Sequence, residues 1–163
     1  MSAHAPLHGS EKKPDWLQIV RQNGLFLQHA PPEVKADGAV VCAAVRSNPG
    51  ALLHAAYELR SNPEFVKALV AMVEGRALKF AADELKGNRE LVLAAVALKG
   101  WVLQFATEEL KGDCEIASIA IAQDSAFLEY VADSLLQDES FAVDARSLFY
   151  FFKVSTLSGR SCI

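Results

Sequence analysis

Residues 104–113 read QFATEELKGD, and residues 79–88 read KFAADELKGN. Extended by one residue at the front, the same stretch recurs along the chain. It appears as LQHAPPEVKAD (27–37), LLHAAYELRSN (52–62), LKFAADELKGN (78–88), LQFATEELKGD (103–113) and LEYVADSLLQD (128–138). The leading leucines, Leu27, Leu52, Leu78, Leu103 and Leu128, are spaced 25, 26, 25 and 25 residues apart. Three residues after each stands Ala30, Ala55, Ala81, Ala106 or Val131. Four further on come Val34, Leu59, Leu85, Leu110 and Leu135, and the segments close on Asp37, Asn62, Asn88, Asp113 and Asp138. Five copies in register identify a tandem repeat, and a period in this range is the signature of a stacked array.

Between the copies runs a second pattern: GAVVCAAVRSNP after Asp37, PEFVKALVAMVEG after Asn62 and RELVLAAVALKG after Asn88. An Asp or Asn at that junction is a helix N-cap, its side chain accepting from an orphan N–H of the first turn. Pro63 then takes the first helical position, where its missing donor costs nothing. Glu64, Glu90 and Glu115 suit the positive end of the helix dipole. Val66, Leu69, Val70 and Val73 recur as Val41, Ala44, Val45 and as Val92, Ala95, Val96, the spacing of one helical face. Gly24, Gly75 and Gly100, with Pro49 in the same column, stop each helix and turn the chain.

Each unit therefore reads as two short helices. Pro31-Pro32 in the first copy falls where the others have Ala-Tyr, Ala-Asp or Thr-Glu, and two prolines cannot sit inside a helix. The leucine–alanine helix is thus expected to end or restart at that column in every copy. A 10-residue helix is marginal alone, so stacking must stabilise it. The fold class that follows is all-α, an α-solenoid of about five 25-residue two-helix repeats. Residues 16–23 match a truncated valine-type helix, with Trp16 and Leu17 in the places of Val41 and Cys42. The expected organisation is an N-terminal tail (1–13), a repeat domain (14–152) and a C-terminal tail (153–163).

Composition narrows the function classes. At 52% hydrophobic residues a continuous core is within reach, and the net charge of −4 comes from intermixed acids and bases. A nucleic-acid binder would show a basic surplus or stripe. Cys42, Cys114 and Cys162 are scattered with no CxxC, which reads as reduced thiols, and the start has no apolar leader. The expectation is a soluble intracellular, cytoplasmic protein without membrane insertion.

The string VRQNGLFLQHAPPEVKADGAVVCAAVRSN (20–48) resembles a helical-repeat family known only as a domain of unknown function, common in unicellular eukaryotes and some bacteria. Its copies run V-x-x-N-G-x-x-L-x-x-A-x-x-x-L-x-x-D-x-x-x-V-x-x-A-V. Here Val20, Asn23, Gly24, Leu27, Ala30, Asp37, Val41, Ala44 and Val45 carry the pattern. Later copies depart from it, with Asn48-Pro49, Glu74-Gly75 and Asp124-Ser125 replacing Asn-Gly. The resemblance spans about residues 16–145 and implies an α-helical repeat fold. It brings no catalytic residues.

Two surfaces stand out as candidate partner-binding sites. The column before the alanine reads His29, His54, Phe80, Phe105 and Tyr130, an aromatic stripe fit either for packing or for a binding groove. The aromatic stretch SLFYFF (147–152) suits a terminal cap, with Tyr150 and Phe151 left over as a docking patch. Two imidazoles one unit apart, His29 and His54, are too distant to share a metal ion without a third ligand. A further ladder sets Glu33, Glu58, Glu84 and Glu109 beside Lys35, Arg60, Lys86 and Lys111, read as a solvated edge of alternating charge. In the fifth copy Ser134 and Leu136 replace it, as at an end covered by other chain or protein. Ser161-Cys162-Ile163 fits a weak C-terminal peptide-ligand pattern. No phosphate loop, HExxH or GxSxG is present.

The expected function is a non-catalytic protein–protein interaction scaffold or a small structural subunit of a larger assembly. It would need no cofactor, catalytic residue or metal, and its partner would be another protein. A helical-repeat nucleic-acid binder and an accessory domain of an enzyme are the alternatives; the first needs variable polar residues at fixed positions beside a basic face, and the acidic balance argues against it.

Overall fold

In the computed structural model of the protein, residues 14–138 and Phe141 are described. The chain is an all-α solenoid, with no strand among the described residues. Its long helices are α1 (Trp16–Gln22), α3 (Gly38–Ser47), α5 (Pro63–Met72), α7 (Arg89–Leu98) and α9 (Cys114–Gln123). Each is followed by a 3₁₀ helix: η1 (Gly24–His29), η2 (Pro49–His54), η3 (Arg76–Phe80), η4 (Gly100–Phe105) or η5 (Ser125–Tyr130). A one-turn helix then completes the unit: α2 (Pro32–Lys35), α4 (Tyr57–Arg60), α6 (Asp83–Lys86), α8 (Glu108–Lys111) or α10 (Asp133–Leu136).

The two-helix unit thus holds, with its leucine–alanine helix built in two pieces. The break sits where Pro31-Pro32 placed it. Ala30, Ala55, Ala81, Ala106 and Val131 all adopt extended backbone and end the 3₁₀ segment. In the first unit Pro32 then opens α2 at the position where a proline is tolerated. The Asp/Asn column caps as its chemistry demands. Asp37 accepts from the Ala39 N–H at 2.8 Å, Asn62 from Phe65 at 3.0 Å, Asn88 from Leu91 at 3.0 Å, Asp113 from Glu115 at 3.0 Å and Asp138 from Phe141 at 3.2 Å.

Long helices stack on long helices and 3₁₀ helices on 3₁₀ helices from unit to unit, and the core lies between the two layers. Leu27, Leu52, Leu78 and Leu103 enter it from the 3₁₀ side, fully buried. Val41, Val45, Val66, Val70, Val92 and Val96 meet them from the long helices, and Ile116 and Ile121 take over in α9. Each such side chain contributes roughly 1.5–3 kcal/mol of burial. The truncated first helix α1 joins this layer through Val20, which is fully buried.

A four-residue helix cannot satisfy its own terminal backbone groups, and here the neighbouring unit does it. The Ala56 N–H donates to the Lys35 carbonyl (2.9 Å), Ala82 to Arg60 (3.1 Å), Thr107 to Lys86 (3.1 Å) and Ala132 to Lys111 (3.1 Å). The equivalent residue in the first unit is Pro31, which has no N–H to place.

The turn column shows the same accounting. A Cβ on Gly24 would lie 2.1 Å from the Ala44 carbonyl oxygen, so the next long helix can approach only a glycine. The Gly24 N–H donates to Ser47 Oγ (3.2 Å) and the Gly100 N–H to Gln123 Oε1 (2.7 Å), each acceptor coming from the next unit's long helix. Gln123 also donates through Nε2 to the Val96 carbonyl at 2.6 Å. At Pro49 there is no donor, and the corresponding partner position is the apolar Met72.

At Gly75 the donor goes to the Val70 carbonyl (2.8 Å) in a left-handed helix ending, with Glu74 at φ 51° and Gly75 at φ 84°. That left-handed pair absorbs the extra residue of the 26-residue spacing.

Gly24→Ala is expected to cost about 3 kcal/mol or more through overpacking, lowering Tm by roughly 6–12 °C. An unchanged circular-dichroism melt would show that the units can move apart at this corner. Leu110, 7% exposed, gives a second check. Leu110→Asp buries a charge and is expected to lower stability by several kcal/mol, whereas a native melt would place the leucine column outside the core.

Candidate partner-binding face

A 3₁₀ helix has three residues per turn, so positions three apart eclipse. With the leucine buried at the fourth place of each six-residue η helix, the second and fifth residues look away from the core. Those positions hold Leu25 and Gln28, Gly50 and Leu53, Trp101 and Gln104, Ala126 and Glu129; in the shorter η3 the matching residues are Arg76 and Lys79. The stacked η helices therefore form one continuous face. Among the described residues the large exposed apolar side chains are Leu25, Phe26, Leu53, Tyr57, Leu98 and Leu136. The first four all stand on η1, η2 and α4, so the exposure is concentrated at the first two units. Gly50 lies between two of the apolar groups: a Cβ there would be 3.6 Å from the Phe80 ring and 3.9 Å from Leu25.

The column His29, His54, Phe80, Phe105 and Tyr130 closes each η helix. His29 is exposed, with Nε2 2.8 Å from Gln28 Nε2. The other four are half-buried, and Phe80, Phe105 and Tyr130 pack against the core from its edge. The Lys79 ammonium lies 5.6 Å from the Phe80 ring centroid and 5.7 Å from that of Phe105, bridging two units. Trp101 meets Phe105 edge-on at 5.8 Å, and Phe127 stacks with Tyr130 at 6.1 Å. Tyr150 and Phe151 lie outside the described residues, as do the SLFYFF stretch, both tails and Cys162.

The charged ladder differs from its expected pairing. Lys86 and Lys111 bond to Asp83 and Glu108, each three residues earlier on the same short helix and each at 2.7 Å, and not to Glu84 and Glu109, two residues earlier. The reason is helical geometry, which brings positions three apart together. Lys86 holds the Asp83 carboxyl below its usual range. In the second unit the acid is replaced by Tyr57, and the Arg60 guanidinium lies 6.0 Å from its ring. Tyr57 instead donates its hydroxyl to Glu84 Oε1 of the next unit at 3.1 Å. The carboxylate keeps that phenol protonated above its ordinary range. Leu136, in the fifth unit, is 39% exposed.

Between these two units a groove of about 320 Å³ opens, with Leu53, Tyr57, Arg60, Lys79 and Phe80 in its lining. Of these, sequence reasoning picked out Phe80 as a contact residue. The signal for Tyr57 and Arg60 is present, since an aromatic interrupts the acidic column Asp83, Glu108, Asp133. Leu25 and Leu53 stand in columns whose residue type changes from unit to unit (Leu25, Gly50, Arg76, Trp101, Ala126 and Gln28, Leu53, Lys79, Gln104, Glu129), so no repeating pattern marks them.

The opposite side offers less chemistry. Cys42 is half-buried in a shallow groove with Leu17, Arg21 and Arg46, its thiol pushed up by burial against the pull of Arg46. Cys114 is exposed at the first position of α9. Among the described residues no three His, Cys, Asp or Glu side chains gather as a metal would require, and no helix is long and apolar enough to cross a membrane.

The family model described as Domain of unknown function (DUF4116) matches residues 16–60, 37–86, 62–111 and 88–136, each match covering about two consecutive units. Together they run from residue 16 to residue 136, and the chain belongs to this family. No curated protein and no solved structure matches the chain.

The face makes a division that can be measured. Leu53, 55% exposed, should accept serine with a change within about 0.5 kcal/mol. Phe105→Ser should cost about 2–4 kcal/mol, because its ring supports two units. Urea melts of both variants check this, and equal losses would contradict the separation of surface from core.

Proposed function

We propose that this member of the DUF4116 family is a non-catalytic protein-interaction module that holds its partner on the face formed by the stacked 3₁₀ helices. The observation that carries the reading is the concentration of exposed Leu25, Phe26, Leu53 and Tyr57 on the first two units, continuous with the half-buried Phe80. Exposed apolar clusters of this kind mark contact surfaces, and the rigid stack beneath supplies a preorganised platform. The partner is another protein, and the site works without cofactor or metal. The carboxylates support this reading too, being engaged in caps and surface ion pairs such as Lys67–Glu90 and Arg89–Asp113.

Leu53→Asp and Tyr57→Asp, both at positions more than half exposed, should preserve the helical melt. Each should remove most of the capture of native partners, read by cross-linking and mass spectrometry from the source cells. Capture by both variants at the wild-type level would exclude this face as the contact surface.

A further inference from the structure

We infer that the groove between the second and third units is a receptor for a carboxylate side chain carried on an extended, partly apolar peptide, with Arg60 and Lys79 reading the charge. The inference rests on the 3₁₀ face being the contact surface and names what that face accepts. In the third and fourth units each short-helix lysine is answered by an acid three residues earlier. In the second unit Tyr57 stands at that position, so Arg60 makes no ion pair among the described residues and feels the Asp83 carboxylate only through space, and its Nε is shut away from water without an acceptor. Lys79 likewise has no carboxylate and is held between two rings, a geometry that fixes the ammonium but leaves its charge unneutralised.

The two acids in the lining are already engaged, Asp83 by Lys86 and Glu84 by the Tyr57 hydroxyl. What remains is two cations without an ion pair of their own among the described residues, beside exposed Leu53 and half-buried Phe80. A volume of about 320 Å³ is at the lower end of small-ligand clefts, ~300–1,000 Å³. It admits side chains and not a folded domain. Asp83 and Glu84 in the same lining would repel a polyanion, which sets nucleic acid and an anionic membrane below a single carboxylate with an apolar neighbour. The carboxylate would sit between Arg60 and Lys79, and the neighbouring residue on Leu53.

Fluorescence anisotropy of the full chain tests this with a labelled octapeptide of alternating leucine and glutamate and its leucine–glutamine twin. The acidic peptide is expected to bind about tenfold or more tightly than the twin, with a preference that shrinks as salt rises. Lys79→Glu and Arg60→Gln should each erase the preference, and Arg21→Glu, on α1, should leave it intact. Equal binding of the twins, no binding of either, or a preference that survives both variants would overturn the carboxylate site. Phosphatidylserine vesicles displacing the acidic peptide from the wild type would overturn it in favour of a membrane. The two readings fail separately, because Leu53→Asp against native partners judges the face and the glutamate–glutamine comparison judges the charge.

Discussion

The carbonyl groups of Lys35, Arg60, Lys86 and Lys111 end helices only one turn long, and no group within the same helix can satisfy them. The next unit supplies the missing donor each time, from Ala56, Ala82, Thr107 and Ala132. This backbone ladder sets the offset between neighbouring units, and other features follow from the offset. It brings the next long helix so close to Gly24 that no Cβ fits. It places Ser47 and Gln123 opposite the N–H groups of Gly24 and Gly100. Stability in such an array resides largely in contacts between neighbours, and here those contacts include directional bonds as well as apolar area.

The architecture was largely legible because each constraint leaves a residue type behind. A cap needs Asp or Asn, a close approach needs glycine, and a broken helix tolerates Pro31-Pro32. Chemistry of that kind repeats at the period of the fold. The tight winding of the leucine–alanine segment was hidden, because its first, fourth and seventh residues also fit an ordinary amphipathic helix. The candidate site was legible in part for the same reason. Phe80 stands in a repeating aromatic column and is legible there, whereas Leu25 and Leu53 stand in columns that change from unit to unit. The partners of Lys86 and Lys111 are hidden because the glutamate two residues back points away from them on a helix, and the acid three residues back does not.

The repeats are alike in their cores and unlike on their surfaces. Arg89 gathers Asp113 and Glu115 of the next unit, and Lys99 lies 3.4 Å from Glu74 of the preceding one. Exposed pairs of this type add little stability, about 0–1 kcal/mol each. Their effect is to leave much of the charged surface internally neutralised. Against that background the second unit differs, with Tyr57 in an acidic column and an arginine behind it. The array gives one framework many times, and single departures from the consensus give it local character.

The ladder also has a direction. Every rung runs from an N–H of the later unit to a C=O of the earlier one, so the place of the donor is set by the order of the units along the chain. Pro31 occupies the place of that donor in the first unit, and proline has nothing to give. By this means one imino acid leaves the first short helix without a donated rung of the ladder.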